Sequence, residues 1–288
     1  MVRPAEKDIV DQMWLAYTLA AAGLWGVGQV LAKKGLAHIS PLWNNIISYG
    51  FVLVTMMPWA ILGGVNFERL AVIFPWTLLT ALTYSVYYYV ISRGEIALTG
   101  TIYSTYPVAT VILAGIFLGE TTVGIQKLGI GATLLGAILI AWPKGAKLKL
   151  ENWVWWGALG ALIVGSGDFL AKFIIDKSDV YTFTFSHELA FILAMIGLWV
   201  IDKKGRQVPK LAVRSWLPTL AGVGMLQIGV LAFFIALSLG KASLVAPVSS
   251  IYQAITVVLA MVWLREKVSL RQLAGIGLAV SGVLVLAM

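Results

Sequence analysis

The chain has 288 residues, of which 60% are hydrophobic and only 12% charged, with a mean hydropathy of +0.90 and a formal net charge of +8. A soluble domain carries roughly 25% charged residues, so this composition excludes a monomeric water-soluble protein. Its apolar runs are continuous over roughly 20 residues, the length at which an α-helix crosses ~30 Å of hydrocarbon; this excludes a transmembrane β-barrel, whose strands alternate over ~10 residues, and the expected fold is an all-α polytopic membrane protein.

Apolar length and loop signals place ten spans at 13–33, 41–62, 71–92, 96–118, 124–142, 153–175, 180–201, 214–238, 242–264 and 269–287. The apolar run of the first span continues past its small residues, which argues against a cleaved leader. In that span Trp25, Gln29 and Lys33 share a face at four-residue spacing, and Lys33 can equally snorkel at the helix end. The second span begins with Asn44 and Asn45, as site residues or interfacial caps. In the third, Tyr84 and Tyr88 share a face; Tyr88 suits an interfacial belt, whereas the deeper Tyr84 needs a partner for its hydroxyl. The fourth adds Tyr103, Ser104 and Tyr106.

The connection Pro143–Asn152 joins two halves, 1–146 and 147–288, each with five spans. Asp168 and Lys172 lie in the sixth span, and His187 and Glu188 in the seventh. An ionisable group at a helix centre costs ~2.5–3.5 kcal/mol on the insertion scale. Asp168 and Glu188 sit at similar depths, ~10–12 Å from one membrane edge at 1.5 Å per residue. Lys172, one turn from Asp168, is expected to pair with it. These four residues read as a proton-coupling or substrate-amine site, or as a neutralised group holding helices together. Gln227 in the eighth span and Ser249, Ser250, Tyr252 and Gln253 in the ninth complete the polar set. Such hydroxyl, amide and aromatic groups suit a small amphipathic solute in a mostly apolar cavity, with interhelical hydrogen bonding as the alternative.

The halves repeat. Placing Glu120 on Glu266 aligns Gly94–Ile140 with Gly240–Leu286 without a gap. Ser104, Tyr106, Thr110 and Gln126 then meet Ser250, Tyr252, Thr256 and Gln272, and Gly129, Gly131 and Gly136 meet Gly275, Gly277 and Gly282. Upstream, Trp14, Gly26, Gly28 and Lys33 match Trp153, Gly165, Gly167 and Lys172 in a slightly different register. Five spans per copy make the second enter the membrane in the opposite direction, the inverted-repeat plan in which a solute site lies between the copies near the midplane. The small residues Ala132–Gly136 and Gly275–Ala279 permit close helix contact, as an intramolecular seam or a homodimer face.

The strings LWGVGQVLAKKGLAHISP, FLGETTVGIQKLGIGATLLGAIL and WLREKVSLRQLAGIGLAVSGVLVL resemble the EamA-type proteins of the drug/metabolite transporter superfamily, over nearly the whole chain. The resemblance implies ten helices, a central cavity and alternating-access movement of small organic solutes, often outward. It makes Glu120 and Glu266 look like loop anchors. In such proteins proline commonly occupies the middle of the fourth and ninth helices; here Pro107 and Pro247 fall in different registers, so helix kinks are expected to differ between the halves.

Of the basic residues, Arg3, Lys7, Arg69, Lys127, Lys172, Lys177 and Lys241 fall on the side of the termini and the remainder on the other. This bias places both termini outside, whereas the resemblance implies termini inside. The sequence lacks cysteine, HExxH, a Walker A string and a nucleophile elbow, so neither enzymatic activity nor any cofactor or metal is expected. The expected partners are a small organic solute, membrane lipids and protons, not nucleic acid, with the chain a monomer or homodimer in a prokaryotic plasma membrane. The expected function is secondary export of amino acids or related amphipathic compounds. The alternatives are a sugar or nucleotide-sugar carrier, against which the scarcity of deep basic residues argues, and a membrane-embedded lipid-modifying enzyme, for which His187–Glu188 is the one seed.

Overall fold

The computed structural model describes residues 4–36, 39–91, 105–142, 152–210, 213–263 and 268–287. Among the described residues there are eleven α-helices and no strand: α1 Pro4–Leu36, α2 Pro41–Gly63, α3 Phe67–Ile91, α4 Tyr106–Phe117, α5 Gly124–Ala141, α6 Asn152–Lys177, α7 Val180–Ile201, α8 Val213–Leu239, α9 Ala242–Ser249, α10 Tyr252–Trp263 and α11 Leu270–Leu286. Seven stretches of the described residues are long and apolar enough to cross a bilayer, one of them made of α9 and α10 together; α4, α5 and α11 contribute three shorter apolar segments. Helices satisfy their own backbone, which lipid cannot do. The outward residues are accordingly apolar, as at Leu62, Leu128 and Leu270, while Asn45, Thr80, Ser186 and Glu188 are buried.

Local chemistry sets the helix starts. Ser40 caps α2, its Oγ accepting from Trp43 N, with Pro41 at the first helical position. Asp179 caps α7, its Oδ1 accepting from Thr182 N at 2.8 Å. The repeated glutamines do one job in both halves: Gln126 Oε1 accepts from Val123 N at 3.1 Å, and Gln272 Oε1 from Ser269 N at 2.9 Å.

The expected ninth span is not one helix. It is broken at Ser250–Ile251 into α9 and α10. Here the backbone tightens: Ser250 N donates to Pro247 O, Ile251 N to Val248 O and Gln253 N to Ser250 O. The Ser250 hydroxyl also takes Pro247 O, at 2.6 Å. Eight residues of α9 at 1.5 Å each place this break ~12 Å into the membrane. In the first half α4 begins at Tyr106, the residue that the repeat places on Tyr252 at the start of α10.

The most extensive helix contacts run between the halves, and they come in pairs related by the repeat. Helix α1 packs on α8 as α6 packs on α3; α1 meets α10 as α6 meets α4; α2 meets α8 as α7 meets α3. Pairs α2–α7 and α5–α11 map onto themselves. This is a two-fold relation between two inverted five-helix repeats. Glycine makes the closest crossings possible. A Cβ on Gly26 would lie 3.2 Å from Tyr252 O and 2.7 Å from Ile255 Cβ; one on Gly165 would fall against Tyr106 O and 2.7 Å from Ala109 Cβ. Thr110 Oγ1 donates to Gly165 O at 3.1 Å, and its repeat mate Thr256 lies 3.4 Å from Gly26 O. The small-residue stripe is a seam within the chain: a Cβ on Gly136 would lie 2.7 Å from Gly275 O, and one on Gly282 would lie 2.6 Å from Thr133 N.

Hydrogen bonds join the repeats at both membrane faces. On the face of the termini, Asn66 N donates to Thr182 Oγ1 at 2.9 Å. On the other, Ser40 Oγ donates to Gly205 O at 2.8 Å and Trp43 Nε1 to Arg206 O at 3.3 Å. The offset that carries Trp14 onto Trp153 carries Trp43 onto Thr182 and Asn66 onto Gly205, so these two bridges are the same joint, used once per face.

Candidate functional site

Among the described residues, the buried acids and bases of the spans sit on α6 and α7 of the second repeat. Asp168 is 3% exposed, His187 4% and Glu188 2%. Asp168 and Glu188 lie near one depth, nine residues before the end of α6 and eight after the start of α7. They do not bond to each other; Tyr84 of α3 stands between their helices. Its hydroxyl donates to Asp168 Oδ1 at 2.6 Å, and its ring meets that of His187 edge-on at 5.8 Å. His187 Nδ1 lies 3.2 Å from Glu188 Oε1.

The expected Asp168–Lys172 pair does not form. Lys172 Nζ reaches Asp176 Oδ1 at 2.7 Å, one turn further toward the membrane edge. Asp176 is 44% exposed in its side chain, so the lysine head lies toward water and its stem is buried. No lysine or arginine among the described residues pairs with Asp168 or Glu188. Two carboxyls thus stand deep in the bundle with a tyrosine and a histidine as their described partners.

His187 is surrounded by rings. Phe183 and Phe234 lie at 5.6 Å and Phe191 and Tyr84 at 5.8 Å between centroids. Phe191 in turn stacks on Tyr49 at 5.5 Å, and Tyr49 hydroxyl donates to Glu188 O at 3.3 Å. This enclosure leaves His187 Nε2 buried and without a hydrogen-bond partner among the described residues, and Asp168 Oδ2 is in the same condition. Buried polar atoms are ordinarily paired, so both are places where a bound molecule or water gains a hydrogen bond.

A second layer lies across the repeat boundary. Tyr106 and Tyr252, the opening residues of α4 and α10, pack in one cluster with Trp25 and Tyr84. Tyr106 hydroxyl lies 3.1 Å from Ser249 Oγ. Trp25 Nε1 donates to Leu226 O at 3.0 Å, and its ring meets Tyr252 edge-on at 5.9 Å. Gln29 and Gln253 both have side chains within reach of the Tyr252 hydroxyl, and Gln253 Oε1 is buried with no partner. Thus Trp25, Gln29, Tyr84, Tyr106, Asp168, His187, Ser249, Tyr252 and Gln253 are brought together, from α1, α3, α4, α6, α7, α9 and α10.

Other sequence candidates stand apart. Gln227 is half-buried on α8, and no hydrogen bond among the described residues ties it to the cluster. The side chains of Lys33 and Tyr88 and the whole of Tyr103 and Ser104 lie outside the described residues. Glu120 is an anchor: its two oxygens accept from Ala242 N at 2.9 Å and Ser243 N at 2.8 Å, capping α9 across the repeat boundary. A shallow notch over Pro75, Trp76, Leu79 and Leu82 lies on the apolar outer side of α3 and belongs to the lipid surface. Among the described residues no acid or histidine cluster could hold a metal ion.

Tyr49 was not singled out by sequence reasoning. A signal for it existed: the Trp14-to-Trp153 offset carries Tyr49 onto Glu188, so the two face each other where α2 meets α7. The phenylalanines around His187 carried no such signal, because they look like any other apolar residue of a span.

Residues 12–142 and 151–288 each match the family model described as the EamA-like transporter family. An uncharacterised protein of Methanocaldococcus jannaschii is 32% identical over 130 residues, a match covering 45% of this chain and 92% of that protein. One protein crystal structure superposes with a TM-score of 0.75 at 16% identity, covering 94% of both chains, which shows a common fold.

Proposed function

The chain belongs to the EamA-like transporter family, whose members carry small solutes across membranes, and from that premise we propose that it is a secondary exporter of amino acids or related amphipathic amines. The observation that carries this reading is the pair of buried carboxyls, Asp168 and Glu188, with no basic side chain beyond His187 paired to them among the described residues. An intramembrane carboxyl is expensive to keep. A cationic amine recovers part of that cost, and a proton recovers it in the amine's absence. Exchange between the two couples export of the solute to proton entry.

The aromatic layer of Trp25, Tyr84, Tyr106 and Tyr252 supplies the apolar wall and cation-facing rings for the rest of such a solute. Tyr84 orients Asp168, His187 Nδ1 lies within hydrogen-bonding distance of Glu188, and Gln29, Ser249 and Gln253 offer polar contacts to a carboxylate or amide. The broken α9–α10 segment gives the second repeat a joint at the depth of the cluster. Rocking of one repeat on the other, units 1–146 and 147–288, exposes the cluster to each side in turn. Lys172 and Gln227 are outside this arrangement. The bias of basic residues assigns the face of loop 202–212 to the cytoplasm of a prokaryotic plasma membrane.

Proteoliposome flux of amino acids and amines, with and without an imposed pH gradient, tests the reading. Uptake that depends on the gradient in the parent, and loses that dependence in Asp168→Asn and Glu188→Gln, is the expected result. Flux and pH dependence that survive both substitutions would end the proton-exchange account.

A further inference from the structure

The loop after α7 is built to present charge outward. Asp202 Oδ1 accepts from Gly205 N at 2.8 Å and closes a turn over Lys203 and Lys204. Tyr89 hydroxyl donates to the other oxygen of Asp202 at 2.9 Å, tying the turn to the end of α3. Gly205 lets the Asp202 carboxyl close over the turn, since a Cβ there would overlap that carboxyl as it now stands. Arg206 is spent on the protein itself: Nε donates to Trp199 O at 2.6 Å, Nη2 to Val200 O at 3.1 Å, and the guanidinium lies 5.4 Å from the Trp199 ring. Lys203, Lys204 and Lys210 are left exposed, and no carboxylate among the described residues pairs with them.

The level of these lysines in the membrane is fixed by what precedes them. Trp199, Val200 and Ile201 are 41%, 60% and 79% exposed at the end of α7, and Val208 is 71% exposed within the loop. Apolar groups so exposed belong at the edge of the acyl region, where tryptophan is favoured. The three ammonium groups follow directly at headgroup height. A soluble acidic partner would have to cover the lysines while leaving Val208 and Ile201 in lipid, so the bilayer itself is the better fit.

We propose that Lys203, Lys204 and Lys210 form a docking surface for anionic phospholipid headgroups, and that lipid held there steadies the bridge between the repeats on this face. The second part follows from the backbone. The turn that carries Lys203 and Lys204 is the one whose carbonyls, Gly205 O and Arg206 O, accept from Ser40 and Trp43 of the other repeat. Whatever restrains the turn restrains that joint.

The test uses the full chain in neutral detergent. Native mass spectrometry compares retention of dioleoyl-phosphatidylglycerol with that of dioleoyl-phosphatidylcholine, with inorganic phosphate added as competitor. Each lysine near an anionic surface contributes enough to shift binding severalfold. The parent is therefore expected to retain the glycerol lipid at least about tenfold over the choline lipid. The triple variant Lys203→Gln, Lys204→Gln, Lys210→Gln is expected to lose that preference, and the triple arginine variant to keep it. Deuterium exchange across residues 202–206 should slow when the anionic lipid is present. Equal retention of the two lipids, displacement by millimolar phosphate, retention that survives the glutamine variant, or loss in the arginine variant would each overturn the proposal.

Discussion

Tyr84 and Asp168 stand 2.6 Å apart, hydroxyl to carboxyl, and their bond joins the third helix of one repeat to the first helix of the other. The remaining carboxyl oxygen has no partner among the described residues, so this hydroxyl is the one described group that satisfies Asp168. Tyr84→Phe leaves a buried acceptor bare, at a cost of ~1–3 kcal/mol. The variant is expected to unfold at a lower temperature than the parent in detergent. Asp168→Asn, which keeps an acceptor for the same hydroxyl, should lose less. Equal unfolding temperatures for Tyr84→Phe and the parent would show that the bond carries no weight between the repeats.

The glycine crossings make a matched pair of predictions. Gly26→Ala pushes a methyl group against Ile255 of α10 and Gly165→Ala against the Tyr106 carbonyl and Ala109 of α4, and overpacking of this kind costs ~1–3 kcal/mol. Because the two sites are related by the repeat, their losses should be similar. Gly23→Ala and Gly131→Ala meet nothing within 4 Å and should leave stability unchanged or raise it by up to ~1 kcal/mol through helix propensity. Thermal unfolding of the four variants checks the ranking.

Glu120→Ala removes both acceptors from the first turn of α9. Loss of a cap costs ~0.5–2 kcal/mol, and the effect is local. The amides of Ala242 and Ser243 are expected to exchange faster with deuterium while those of α2 and α7 are unchanged. Glu120→Gln keeps one acceptor oxygen and should fall between the two.

The bridge at the far face is open to a chemical probe, because the chain has no cysteine of its own. Asn44, 5% exposed, directly follows Trp43 and lies one turn after Ser40, the two residues that make the bridge. A cysteine substituted there should react slowly with a membrane-impermeant maleimide. Adding Tyr89→Phe removes a hydrogen bond worth ~1 kcal/mol from the Asp202 turn, and labelling should quicken about fivefold. An unchanged rate would separate the turn from the opening of that face.

Much of this architecture is legible in the residues. The seventh span, 180–201, coincides with α7, and the second and sixth differ from α2 and α6 by a residue or two at their ends. Their boundaries are written in capping residues such as Ser40 and Asp179. The repeat was readable because glutamine, glutamate and glycine do positional work that apolar residues do not. The break at Ser250–Ile251 was hidden, since hydropathy measures length and not continuity, and Pro247 alone does not say where a helix resumes. The partner of Lys172 was hidden too. Asp168 and Asp176 are each one turn away along the same helix, and the choice between them depends on which end of the lysine can reach water. The aromatic enclosure of His187 is a matter of which helices meet, and no spacing within one helix encodes it.

The pairing of helices across the halves has a consequence for biogenesis. A five-helix half leaving the translocon has few neighbours of its own to pack against: α1 awaits α8, α5 awaits α11, and α3 awaits α6 and α7. Glycine grooves and buried hydroxyls of the early helices therefore face lipid until the later half is inserted. Completion of the fold is a late event in synthesis, and a chain truncated after α6 is a natural client for membrane quality control.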